Sequence, residues 1–117
     1  MHHLEIYVSN LRKSREFYSW LLEDLEFSLY QEWEEGFSYK KDKFYIVFVQ
    51  TQKKYLSNGY NRCNIGLNHV AFSCSNIKEI DIFREKLIEK RVTLLYDEKY
   101  PHAGGEESYA VYFEDPD

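Results

Sequence analysis

HLEIYVSNLRKSREFYSWLLEDLEFSLYQE, residues 3–32, and HVAFSCSNIKEIDIFREKLIEKRVTLLYDE, residues 69–98, decide the fold when one is laid over the other. With an offset of 66 and no gap, nine of thirty positions are identical. They are His3/His69, Ser9/Ser75, Asn10/Asn76, Phe17/Phe83, Leu21/Leu87, Glu23/Glu89, Leu29/Leu95, Tyr30/Tyr96 and Glu32/Glu98. Chance would supply about two, so the chain carries a repeated module.

Each copy reads as strand, helix, strand. Leu4, Ile6 and Val8 alternate with His3, Glu5 and Tyr7, and Val70, Phe72 and Cys74 alternate with His69, Ala71 and Ser73. A period of two marks a strand with two unlike faces. Asn10 and Asn76 stand where helix N-caps belong, and Asn76 with Glu79 forms a capping-box pattern. Phe17, Leu21, Leu22 and Leu25 then make one apolar helical stripe, and Ile77, Ile80, Phe83, Leu87 and Ile88 make the other. Apolar strands follow at Phe27–Tyr30 and Val92–Tyr96.

The first copy continues with a strand at Phe37–Tyr39, a turn at Lys40–Lys43 and a strong strand at Phe44–Gln50. The second continues with a glycine-containing loop, Tyr100–Glu106, and a strand at Ser108–Phe113. This predicts an α+β fold of two βαβββ modules in one domain spanning 1–117. Module 1 covers 3–50, a polar linker 51–64, and module 2 covers 66–117 without its final strand. The Asp115-Pro116-Asp117 turn reads as leading into that strand.

The net charge is −5 with no basic stripe, which argues against a duplex-binding surface. No apolar run approaches the ~20 residues that span a bilayer, so no membrane partner is expected. The N-terminus carries no signal pattern. Cys63 and Cys74 form no disulfide or zinc-knuckle spacing, which points to the cytoplasm. A chain of 117 residues buries its own surface only marginally, so a homodimer is expected.

"HHLEIYVSNLRKSREFYSWLL", "GLNHVAFSCSN" and "YPHAGGEESYAVYFEDPD" resemble, in this order, the opening strand and helix, the second-module strand and the closing loop and strand of the glyoxalase/bleomycin-resistance/dioxygenase (vicinal oxygen chelate) superfamily. The resemblance covers essentially the whole chain. It implies a mixed sheet curled around a cleft. In the family's metalloenzymes the first and last strands of each module supply His and Glu ligands to a divalent ion. Such an oxygen-and-imidazole set suits Zn, Ni, Fe, Mn or Co, and the ion stabilises an enediolate-like anion of a small oxygenated substrate.

His3 and His69 match two of those ligand positions and lie on the polar faces of their strands. The residue before His3, His2, is read as pointing the other way. The second position falls near Val47, which cannot bind a metal, and neither Gln50 nor Glu5 stands at the matching place. The fourth ligand would lie beyond Asp117. A divalent ion and a metal-free site therefore both remain open. His102, in a loop flexible at Gly104-Gly105, is the candidate general base. Glu5, Tyr7, Val47 and Tyr109 are candidate pocket-lining residues, with Tyr39 and Tyr45 as further aromatics. Two functions follow: a metal-dependent glyoxalase-like lyase or isomerase, favoured by the two histidines, and a metal-free module that sequesters a small molecule, as bleomycin-resistance proteins do, favoured by Val47.

Overall fold

The computed structural model describes every residue from Met1 to Asp117. It divides into two compact units, Met1–Asn61 with Pro116–Asp117, and Arg62–Asp115.

The first unit runs β1 (His3–Val8), α1 (Leu11–Asp24), β2 (Ser28–Trp33), β3 (Gly36–Lys41) and β4 (Phe44–Gln50), followed by a 3-10 turn at Lys53–Asn58. This is the βαβββ order. The four strands form one mixed sheet in the order β1-β4-β3-β2. β1 lies parallel to β4, and the β2/β3 and β3/β4 pairs are antiparallel. Asn10 caps α1 by accepting from the Lys13 amide at 3.1 Å. Gln50 joins the end of β4 to the β1–α1 turn, accepting from the Leu11 amide at 2.9 Å and donating to the Ser9 carbonyl at 2.9 Å.

The alternation in β1 sorts its side chains as expected. Leu4, Ile6 and Val8 face α1 together with Phe48 and Phe37, which stack 4.9 Å apart. Tyr18 of α1 packs on Phe48 at 4.3 Å, and Leu21 and Leu22 complete this buried layer. Fully burying such side chains stabilises by about 1.5–3 kcal/mol each.

The second unit contains α2 (Ile77–Glu89), a short 3-10 turn at Asp97–Lys99, and two two-residue strands, β5 (Leu94–Leu95) and β6 (Tyr112–Phe113), paired antiparallel. Asn76 accepts from the Glu79 amide at 2.9 Å, while the Glu79 carboxylate reaches back to the Ser75 amide at 2.9 Å. The expected strand at Val70–Cys74 is not formed, and those at Val92–Tyr96 and Ser108–Phe113 shrink to two residues each. A strand exists only through a ladder partner. β1 is held by β4, and no segment of the second unit plays that part.

Both helices end in the same way. Phe27 N–H returns to the Leu22 carbonyl and Val92 N–H to the Leu87 carbonyl, around Glu26 at φ 69° and Arg91 at φ 60°. These equivalent residues are 65 apart, whereas the helix starts are 66 apart. The second helix is one residue shorter than the first, so the Leu29/Leu95 and Tyr30/Tyr96 matches are one position out of step. No helix is long and apolar enough to cross a membrane.

Candidate functional site

His3, Glu5 and Tyr7 occupy the face of β1 turned away from α1. Their register partners on β4 are Tyr45, Val47 and Val49. One strand further, Lys40, Ser38 and Gly36 continue the same face. The result is a platform on a rigid sheet, part aromatic and part polar.

Its aromatic floor is specific. The His3 ring stacks on Tyr45 with centroids 4.9 Å apart and planes 7° apart. Tyr30 meets Tyr45 at 5.3 Å, and the Lys40 ammonium lies 4.5 Å from the Tyr30 ring centre. Trp33 covers Gly36 so closely that an added Cβ would lie 2.4 Å from the indole Cζ2. Ser38, fully buried, uses its hydroxyl to accept from the Gln31 amide at 3.1 Å, where β2 slips register against β3.

His2 departs from the expectation that it faces away. Its Nδ1 lies 2.8 Å from the Nδ1 of His3, and its ring also meets Tyr45 edge-on at 5.4 Å. Because β1 begins at His3, strand alternation does not govern residue 2. One of the two imidazoles must carry the proton between them, since two lone pairs would repel.

The remaining candidates lie in the second unit. His69 is exposed, outside any strand, with Nδ1 2.9 Å from the Asn68 side-chain oxygen. His102 is exposed, with Nδ1 2.7 Å from the Ser108 carbonyl. Tyr109 donates its hydroxyl to Asp81 at 2.6 Å. Nothing in the sequence singles out Asp81 or Tyr100, which also donates to Asp81. They are separated by 19 residues, and only the return of the loop onto α2 brings them together.

Partial burial first, and Asp81 second, push the Tyr100 hydroxyl well above the ordinary tyrosine range. The same two hydroxyls hold the Asp81 carboxyl below its usual value. In the first unit burial raises Tyr39, whose hydroxyl donates to Glu23 at 3.2 Å on the helix side of the sheet. Tyr39 therefore does not share the face of His3.

The residues present do not fit a divalent ion. No three His, Cys, Asp or Glu side chains gather closely enough to hold one. Val47, 7% exposed, is paired with Glu5 across β1 and β4 and offers no donor atom. Glu5 lies on the same face, one strand over.

No protein-family model matches the chain. Protein YqjT of Bacillus subtilis strain 168, an uncharacterized protein, is 47% identical over 117 residues, covering 100% of this chain and 91% of that one. The crystal structure of a glyoxalase candidate from Bacillus halodurans superposes with a TM-score of 0.98 at 42% identity, covering 99% of this chain and 87% of that one. Lactoylglutathione lyase from Agrobacterium tumefaciens shares the fold at a TM-score of 0.62 and 14% identity, covering 99% and 85%.

Proposed function

This chain belongs to the glyoxalase (vicinal oxygen chelate) superfamily, and on that premise we propose that it binds a small organic molecule on the His3–Tyr45 face of its four-stranded sheet, without a resident metal ion. The observation that carries the reading is Val47. A buried valine beside Glu5, at the position matching a metal ligand of the metalloenzymes, supplies apolar contact and no coordination. The stacked His3/Tyr45 pair, Tyr30 and Trp33 offer flat surface to a planar or oxygenated ligand. Glu5 and Lys40 give it one charge of each sign to orient against. In the second unit, His102 with its Nε2 unengaged is the side chain assigned to acid–base work.

A metal-dependent lyase or isomerase is the second reading. It is favoured by the resemblance, which aligns His3 and His69 with two ligand positions of the metalloenzymes. We further assign the chain to the cytoplasm as a homodimer. Supporting these are the spacing of Cys63 and Cys74, which suits no disulfide framework, and the small amount of surface that 117 residues can bury.

The test is elemental analysis of protein purified without chelator or a histidine tag, followed by titration with catechols, α-hydroxyketones and cationic aromatic drugs. The fluorescence of Trp33, in a Trp20→Phe background, reports binding. Substoichiometric metal with saturable quenching that Tyr45→Ala abolishes is the expected result. One ion per chain, lost in both His3→Ala and His69→Ala, would replace this reading with the second.

A further inference from the structure

The second unit contains a side-chain network of its own. Asp81 lies on the exposed surface of α2. Its Oδ1 accepts two phenol hydroxyls, one from Tyr109 at 2.6 Å and one from Tyr100. The two rings meet edge to face, 5.9 Å apart at 74°. Three residues along the same helix face, the Arg84 guanidinium lies 4.7 Å from the centre of the Tyr100 ring. Arg84 also grips Asp97 through two bonds of 2.9 and 2.8 Å. A bidentate guanidinium–carboxylate pair is geometrically demanding. The chain from Asp97 to Tyr109 is thus fastened to α2 at both ends.

His102 sits inside that fastened segment. A carbonyl oxygen only accepts, so the 2.7 Å contact with Ser108 requires Nδ1 to carry the hydrogen. Nε2 is then the nitrogen left with a lone pair, and it makes no hydrogen bond of its own. The Ser108 carbonyl belongs to the peptide unit that leads into Tyr109. The Tyr109 ring also stands edge-on to the imidazole, at 5.9 Å and 86°. Backbone bonds from Ala110 N–H to the Pro101 carbonyl at 3.0 Å and from Ser108 N–H to the Gly105 carbonyl at 3.0 Å close the loop around this arrangement. Whatever holds the Tyr109 hydroxyl therefore holds both the acceptor and the wall of His102.

We propose that Asp81 is a positioning residue for His102: by holding the Tyr109 and Tyr100 hydroxyls on α2, it fixes the Ser108 carbonyl that selects the Nδ1–H tautomer and leaves Nε2 free to take or give a proton. The chemical use of that nitrogen rests on the acid–base role assigned to His102 above; the positioning does not. Asp81 suits the part because its ionised form makes the stronger acceptor, and the two hydroxyls lower its pKa below the ordinary carboxylate value.

Long-range proton–nitrogen NMR of the full chain reads imidazole tautomers directly, with His102→Gln identifying the signals. At a pH where the ring is neutral, wild type is expected to be mainly Nδ1–H. Asp81→Asn and Tyr109→Phe are expected to move His102 to mainly Nε2–H, the form that an unconstrained histidine side chain prefers. Tyr109→Phe keeps the ring and removes only the hydroxyl, and the amide signals of α2 report whether each variant is folded. A wild-type ring that is mainly Nε2–H overturns the proposal. So does an unchanged tautomer in both variants with α2 intact. If the tautomer responds but His102→Gln leaves ligand binding and turnover untouched, the positioning is upheld and the acid–base role of His102 is what fails.

Discussion

Gly36 pairs with Trp33 across the β2/β3 hairpin, and its missing side chain is what lets the indole lie flat on the sheet. An added Cβ would meet the indole Cζ2 at 2.4 Å and the Phe48 carbonyl oxygen at 2.6 Å, and backbone cannot swing away. Gly36→Ala is expected to destabilise by about 1–3 kcal/mol, the usual cost of overpacking, read as a lower urea midpoint. A midpoint equal to wild type would mean that Trp33 does not rest there. Glu26 and Arg91 invite the opposite change. Both hold positive φ at a helix C-terminus, where only glycine avoids a clash with its own Cβ. Glu26→Gly and Arg91→Gly should each stabilise by up to about 1 kcal/mol, since relief of strain outweighs the extra chain entropy of glycine. Neither position was legible in the sequence, because Glu and Arg are ordinary helix formers. The left-handed turn is imposed by Phe27 and Val92 folding back over their helices.

At the scale of elements, α2 and the segment returning over it form a clamp whose strength depends on pH at both ends. Hydrogen bonds from Tyr100 and Tyr109 lower Asp81, and hydrogen bonds from Arg84 lower Asp97. A carboxylate whose folded pKa is depressed stabilises fully above its unfolded value, and that contribution is lost as pH falls through the folded one. The acid side of the clamp should therefore weaken below about pH 4. Tyr100 and Tyr109 are raised, the first by burial before hydrogen bonding, the second by its bond to Asp81. Their contribution is complete below the ordinary phenol value and declines above about pH 10. Tyrosine ring signals followed by NMR should show these two ionising after the ordinary phenol range while the loop amides shift with them. Titration of both at the ordinary value would remove the clamp. The helices themselves were plain in the sequence, because Asn10 and Asn76 precede stripes of helical period. β5 and β6 were overextended there, because an apolar run announces a strand without saying whether a partner lies beside it.

At the scale of the whole molecule, the repeat and the 42% identity to a glyoxalase candidate establish the family. The assembly remains an expectation carried by size and by exposed apolar side chains such as Tyr7, at 59%, on edge strand β1. Light scattering at tens of micromolar should give twice the chain mass of 14.2 kDa. A monomer at that concentration would oppose the dimer and leave the ligand face of the first unit unaffected.

The sequence alone determined the α+β class, the repeat, both helices with their caps, and the sorting of β1 into one face of Leu4, Ile6 and Val8 and another of His3, Glu5 and Tyr7. The repeat is a match of the string with itself, and the rest depend on local periodicity and on residues within one turn of each other, all of which a linear string records. Tertiary structure alone decided that Val47 faces Glu5, that His2 turns toward His3 and Tyr45, that Val70–Cys74 forms no ladder, and that Asp81 gathers Tyr100 and Tyr109. Each of these is a meeting between residues distant in the chain or outside the regular part of a strand. Register, strand pairing and the return of a loop create such meetings, and the period of the side chains carries no trace of them.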